Sequence, residues 1–141
     1  MSLSIVPLSV VSLVSLLSWS AVSLGQPVDD VLEGMRFDGV LRQADASSGG
    51  DKDQLVFEQG LFLSRACEAY GFGRAAYEVY EVEESGGQVY FAATVTSPTH
   101  GQMEWRGVVG NNRVEAEVVW TKERWYWDTR REYRFTGVAT P

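Results

Sequence analysis

Residues 101–121 read Gly101-Gln-Met-Glu-Trp105-Arg-Gly-Val-Val-Gly110-Asn-Asn-Arg-Val-Glu115-Ala-Glu-Val-Val-Trp120-Thr121. Met103, Trp105, Gly107 and Val109 alternate with Gln102, Glu104, Arg106 and Val108. After Gly110-Asn111-Asn112 the alternation resumes, with Val114, Ala116, Val118 and Trp120 set against Arg113, Glu115, Glu117 and Val119. A period of two places successive side chains on opposite faces of a strand, so this stretch predicts a β-hairpin with one dry and one wet face. A glycine and two asparagines between the arms supply the backbone freedom that a tight reversal needs.

The same texture extends in both directions. Segments 76–84 and 88–96 flank Ser85-Gly86-Gly87, with Val89, Phe91, Ala93 and Val95 on one face. Segments 54–58 and 61–68 flank Gln59-Gly60, a two-residue connection of hairpin type. A first strand is predicted over 35–42, with Phe37, Gly39 and Leu41 sharing a side, and a last one over 131–139, with Tyr133, Phe135, Gly137 and Ala139 inward. The Ala/Ser/Gly/Asp-rich stretch 44–53 reads as a loop, and 26–33 as a short acidic lead-in of about one helical turn. No helix longer than two turns is expected after residue 25.

Eight strands joined by short turns point to an all-β fold, an antiparallel up-and-down barrel over 34–141, because closure removes the edges that a long meander exposes. Eight is also the strand number at which a barrel interior either fills with side chains or holds one small ligand. The inward set mixes Gly39, Ala93, Gly107, Ala116, Gly137 and Ala139 with Trp105, Trp120, Phe91, Tyr133 and Phe135. That mixture fits a tapered interior, either filled or holding a modest pocket.

Residues 1–25 contain no Asp, Glu, Lys, Arg or His, and 5–24 form a Val/Leu/Ser-rich apolar run. This is the pattern of a secretory signal peptide, with Ser23 and Gly25 placed for cleavage before Gln26; an uncleaved membrane anchor is the competing reading. The expected location is periplasmic or secreted, with no stable membrane insertion once the leader is removed. All 19 acidic and 12 basic residues follow the leader, and the net charge of −7 disfavours nucleic acid and anionic lipid as main partners. Cys67 is the sole cysteine, so no intramolecular disulfide can form, and packing must hold the fold. Within the predicted strand 61–68 it reads as a small buried hydrophobe.

The eight-strand meander, the leader and the segments Cys67-Glu-Ala-Tyr70-Gly-Phe-Gly73, Ser97-Pro-Thr-His-Gly-Gln-Met-Glu-Trp105 and Trp120-Thr-Lys-Glu-Arg-Trp-Tyr-Trp127 together resemble small exported bacterial proteins of lipocalin-like (calycin-like) barrel type. The resemblance covers about residues 34–139 and implies the fold; proteins of this type largely lack an assigned activity. The Trp120-Thr-Lys stretch is also similar to small-barrel periplasmic lysozyme inhibitors, whose disulfide this chain cannot make.

The aromatic concentration Trp120, Trp125, Tyr126, Trp127 and Tyr133, with Arg130 and Arg131 beside it, reads either as a barrel plug or as a rim for an apolar ligand whose anionic group an arginine orients. Trp105, Trp120, Trp125, Trp127, Arg130, Arg131 and Tyr133 are therefore the candidate ligand-binding residues. No catalytic set, cofactor or metal site is expected. Gly71-Phe72-Gly73-Arg74-Ala75-Ala76 fits a dinucleotide fingerprint only superficially, since it leads into a strand and not a helix. Asp45, Asp51 and Asp53 lack calcium-loop spacing and read as a solvated loop. His100 reads as a turn residue, and Glu78, Glu81, Glu83 and Glu84 as solvated charges. The leading expectation is a non-enzymatic binding module for a small, mostly apolar molecule; the alternative is a solid barrel that grips an envelope protein, such as a cell-wall enzyme.

Overall fold

In the computed structural model, which describes residues 31–141, eight antiparallel strands close on themselves in chain order. They are β1 (Arg36–Gln43), β2 (Asp51–Glu58), β3 (Leu61–Ser64), β4 (Ala75–Val82), β5 (Val89–Ser97), β6 (Gly101–Gly110), β7 (Arg113–Lys122) and β8 (Thr129–Ala139), with one helical turn, α1 (Arg65–Glu68), between β3 and β4. Pairing of β8 with β1, from Phe37↔Ala139 to Gln43↔Tyr133, closes the barrel. The predicted signal peptide, 1–25, and most of the predicted lead-in, 26–33, lie outside the described residues.

Turn chemistry sets the register. Asn111 and Asn112 both take positive φ, 54° and 59°, the conformation whose twist matches two right-twisted strands. Gly110 therefore stays in the ladder opposite Arg113, and the loop is shorter by that one residue than the sequence predicts. Gln59 (φ 56°) and Gly60 (φ 71°) make the second two-residue turn, as expected. Their backbone N–H groups are taken by the Glu33 carboxylate, while Leu32 is fully buried against the core, so these two residues cover this end of the barrel. Between β4 and β5 the ladder shifts register between Val79 and Glu81, which lets Tyr80 point out to solvent.

The alternation read from β5, β6, β7 and β8 is borne out: Val89, Phe91, Ala93, Val95, Met103, Trp105, Val109, Val114, Ala116, Val118 and Phe135 are all buried. Phe37, Phe57, Phe62, Phe91, Trp105 and Phe135 have no exposed surface and interlock in edge-to-face and tilted pairs. Phe57 meets Phe91 at 4.9 Å and 85°, and Phe62 meets Trp105 at 5.1 Å. Each such side chain contributes roughly 1.5–3 kcal/mol by leaving water. The small inward residues make room for these rings. A Cβ on Gly107 would lie 2.5 Å from the Phe91 ring, and one on Gly39 would strike the carbonyl of Thr136 and the ring of Phe135.

Two boundaries on either side of Asp53 differ from the sequence reading for one reason, while β4 ends two residues earlier and β8 begins two residues earlier than read. Strand β3 ends at Ser64, and 65–68 is the helical turn α1, so Cys67 is buried in a helix and not in a strand. The predicted loop 44–53 ends earlier, and Asp51, Lys52 and Asp53 pair with Leu41, Val40 and Gly39. Asp53 points inward and is buried; its carboxylate accepts the Ser64 hydroxyl (2.6 Å) and the Ala66 backbone N–H (2.9 Å). A carboxylate that satisfies the first N–H groups of a helix favours the turn over continued strand. Composition assigned 51–53 to solvent because the partner of Asp53 lies 11 to 13 residues further on.

Candidate functional site

The two ends of the barrel differ. One carries the tight turns 59–60, 83–88 and 111–112 and is sealed by Leu32 and the aromatic core. The other carries the loop 44–50, α1 with the residues after it, the 98–100 turn and the loop 123–128. There the strands enclose a cavity of about 470 Å³, within the range of small-molecule sites.

Its apolar surface comes from Leu41, Phe72, Met103, Trp120 and Tyr133. Leu41 and Met103 are the last inward residues of their strands before the mouth. Phe72 reaches the cavity through a bend: Gly71 takes φ 86°, Tyr70 and Gly71 turn back on Cys67 and Glu68, and the Phe72 ring tucks in at 2 % exposure. The glycine-flanked fingerprint at 71–76 is thus a device for burying one phenyl ring. Ala66, Cys67 and Ala69 bring α1 alongside as a second wall.

Polar groups sit at the rim. The Trp120 indole N–H donates to the His100 carbonyl at 2.6 Å, fixing the ring upright. Arg131 lies 5.9 Å from the centre of that ring, close enough for a cation–π contact, and among the described residues it makes no ion pair. Asp51, exposed at the start of β2 and two residues nearer the mouth than Asp53, also lines the cavity. The Ser97 hydroxyl donates to the Tyr70 carbonyl (2.7 Å) and accepts the backbone N–H groups of Thr99 and His100, tying the β5–β6 turn to the end of α1. Tyr70 and His100 then meet ring to ring at 5.5 Å.

Beneath the rim, Cys67 and Asp53 are buried. Burial pushes the Cys67 thiol up to about 11, and its sulfur lies 3.6 Å from the sulfur of Met103, so at neutral pH it is an uncharged apolar surface. Burial also raises Asp53, partly offset by the hydrogen bonds from Ala66 and Ser64. The His100 Nδ1 is engaged with the Thr99 hydroxyl at 2.8 Å. Among the described residues no group of three or more His, Cys, Asp or Glu is placed to hold a metal ion. The arrangement can offer an apolar, aromatic-walled volume with one free guanidinium at its edge.

Of the seven candidate residues, the structure brings Trp120, Arg131 and Tyr133 together at this cavity. Trp105 lies deeper, sealed between Phe62 and Phe135, its indole N–H without a hydrogen-bond partner among the described residues. Arg130 faces outward and pairs with Glu132 at 2.7 Å. Trp125 and Trp127 sit in the 123–128 loop at 95 % and 63 % exposure, outside the cavity wall. Leu41 and Met103 were legible as interior residues from their alternation. Asp51, Ala66, Tyr70, Phe72 and His100 carried no local signal, because the fold around α1 gathers them. Comparison with known proteins finds no family, no curated protein and no solved structure that matches the chain.

Proposed function

We propose that this chain is an exported, non-enzymatic binding protein of lipocalin-like type. Its barrel holds a small, mostly apolar molecule with a single anionic group. The observation that carries this reading is the asymmetry of the interior: one end is packed solid with rings, while the other keeps about 470 Å³ open among Leu41, Phe72, Met103, Trp120 and Tyr133. Arg131 supplies the charge preference. Among the described residues its guanidinium makes no ion pair, and it lies at the mouth beside an indole that already holds its orientation through His100. Asp51, which also lines the mouth, disfavours a second negative charge on the ligand.

The test is titration with cis-parinaric acid, a fluorescent carboxylic acid with an apolar chain, and competition by unlabelled straight-chain acids, alcohols and amines. The expected result is enhanced probe fluorescence, displacement in the order acid, alcohol, amine, and about a tenfold loss of affinity in Arg131→Gln, the size of one charge-assisted contact. Ala66→Trp, which fills the cavity from α1, abolishes binding while the barrel still unfolds cooperatively. Unchanged affinity in Ala66→Trp refutes the site. Export is tested separately: protein recovered outside the cytoplasm begins at Gln26, and recovery of the intact leader overturns cleavage.

A further inference from the structure

Resting on that reading, we infer that the 123–128 loop docks the barrel mouth reversibly on a lipid bilayer, so that the cavity exchanges its ligand with the membrane and not with bulk water. Trp125, Tyr126 and Trp127 are consecutive and exposed at 95 %, 50 % and 63 %. Their rings pack on one another edge to face, Trp125 on Tyr126 at 5.1 Å and Tyr126 on Trp127 at 4.3 Å. The cluster is thus held together without support from the core, as a convex tip that no other part of the described chain covers. Three amphipathic rings with polar N–H and O–H edges have the composition of the headgroup layer of a bilayer, where Trp and Tyr concentrate.

Charge at the tip supports a lipid surface over other partners. The chain as a whole carries −7, but 122–132 holds Lys122, Arg124, Arg130 and Arg131 against Glu123, Asp128 and Glu132. Arg130 and Glu132 neutralise each other and Arg131 lies against Trp120 at the mouth, which leaves Lys122 and Arg124 balanced by Glu123 and Asp128 beside the rings. The rings therefore carry the attachment, and a locally neutral tip on a chain of net charge −7 is the part that anionic headgroups repel least. Geometry adds the functional link. The loop joins β7 to β8 directly above Trp120 and Arg131, at the open end, so rings lying in the headgroup layer turn the apolar cavity toward the acyl region.

The experiment uses the full chain with an environment-sensitive nitrobenzoxadiazole label on a single introduced cysteine, Glu123→Cys at the tip or Ser85→Cys at the opposite end, Cys67 being buried. With mixed phosphatidylcholine/phosphatidylglycerol vesicles the label at 123 is expected to brighten and shift to the blue while the label at 85 does not. Trp125→Ser with Trp127→Ser in the 123-labelled chain weakens the tip response about tenfold. That double variant keeps wild-type affinity for cis-parinaric acid in vesicle-free solution. A response at 85 equal to or larger than that at 123 overturns the inference. So does no response at either position, the result expected of a tip that faces a soluble protein. A double variant that also loses parinaric acid in solution places the rings in the cavity wall and overturns docking while leaving the cavity reading intact.

Discussion

Replacing Asp53 by alanine removes the one carboxylate that ties β2, β3 and α1 together inside the barrel. It accepts the Ser64 hydroxyl at 2.6 Å and the Ala66 backbone N–H at 2.9 Å, and it is buried. The hydroxyl can rotate, but the N–H cannot. Leaving a buried donor unpaired costs about 1–3 kcal/mol, and the relief of no longer burying a carboxylate offsets part of the loss of both bonds. The expected net loss is about 2 kcal/mol, or about 8 °C in Tm for a domain of this size. Asp53→Asn keeps the shape and one acceptor and loses less than about 1 kcal/mol near neutral pH. Burial raises the Asp53 carboxyl above its ordinary value, so between that value and the raised one the folded state holds more protons than the unfolded state. Stability contributed by Asp53 is fully present below the ordinary value and falls as pH rises through the raised one. Thermal melts of wild type and Asp53→Asn from acid to neutral pH test the sign: the wild-type advantage must grow on acidification. A local readout comes from Cys67, whose labelling by a thiol reagent should quicken about 30-fold in Asp53→Ala if α1 loosens by the full 2 kcal/mol. An unchanged melt in Asp53→Ala, or a wild-type advantage over Asp53→Asn that grows with rising pH, refutes the reasoning.

Three further outcomes follow from the packing. Gly39→Ala should prevent barrel closure, since its Cβ meets the Thr136 carbonyl and the Phe135 ring; circular dichroism and a native-state elution volume will show loss of the folded species, and a folded Gly39→Ala protein would contradict the β1–β8 contact. Trp105→Ala should cost about 3–5 kcal/mol by denaturant titration, while Trp105→Phe should cost far less, because the lost indole N–H had no hydrogen-bond partner among the described residues. Native Cys67 should resist alkylation at neutral pH and react readily only as the pH approaches about 11 or when the protein unfolds; fast labelling of native protein at pH 7 would contradict its burial.

The sequence by itself determined the barrel. Strict alternation in 101–121 and 88–96, turn residues at Gln59-Gly60 and Asn111-Asn112, and strands short enough to follow one another specify which face of each strand turns inward. These signals are local, and a period of two leaves only one register that buries Trp105, Phe91 and Val118 together. Of the candidate site, Trp120, Arg131 and Tyr133 were legible, since they lie on inward positions or beside them next to an unusual aromatic concentration. Tertiary structure alone decided the rest. The helical turn at 65–68 exists because Asp53 meets Ala66, the cavity wall because Gly71 folds Phe72 inward, and the rim because Ser97 ties His100 to Tyr70. The Asp53–Ala66 and Ser97–Tyr70 contacts join segments 13 and 27 residues apart, so neither composition nor periodicity carries a trace of them, while the Gly71 bend is local but its direction shows only once the barrel surrounds it. Tertiary structure also separated two roles that the Trp-rich stretch had merged. The inward parity of β7 ends at Trp120, and beyond Lys122 the chain leaves the ladder, so Trp125 and Trp127 face solvent while Trp120 faces the cavity.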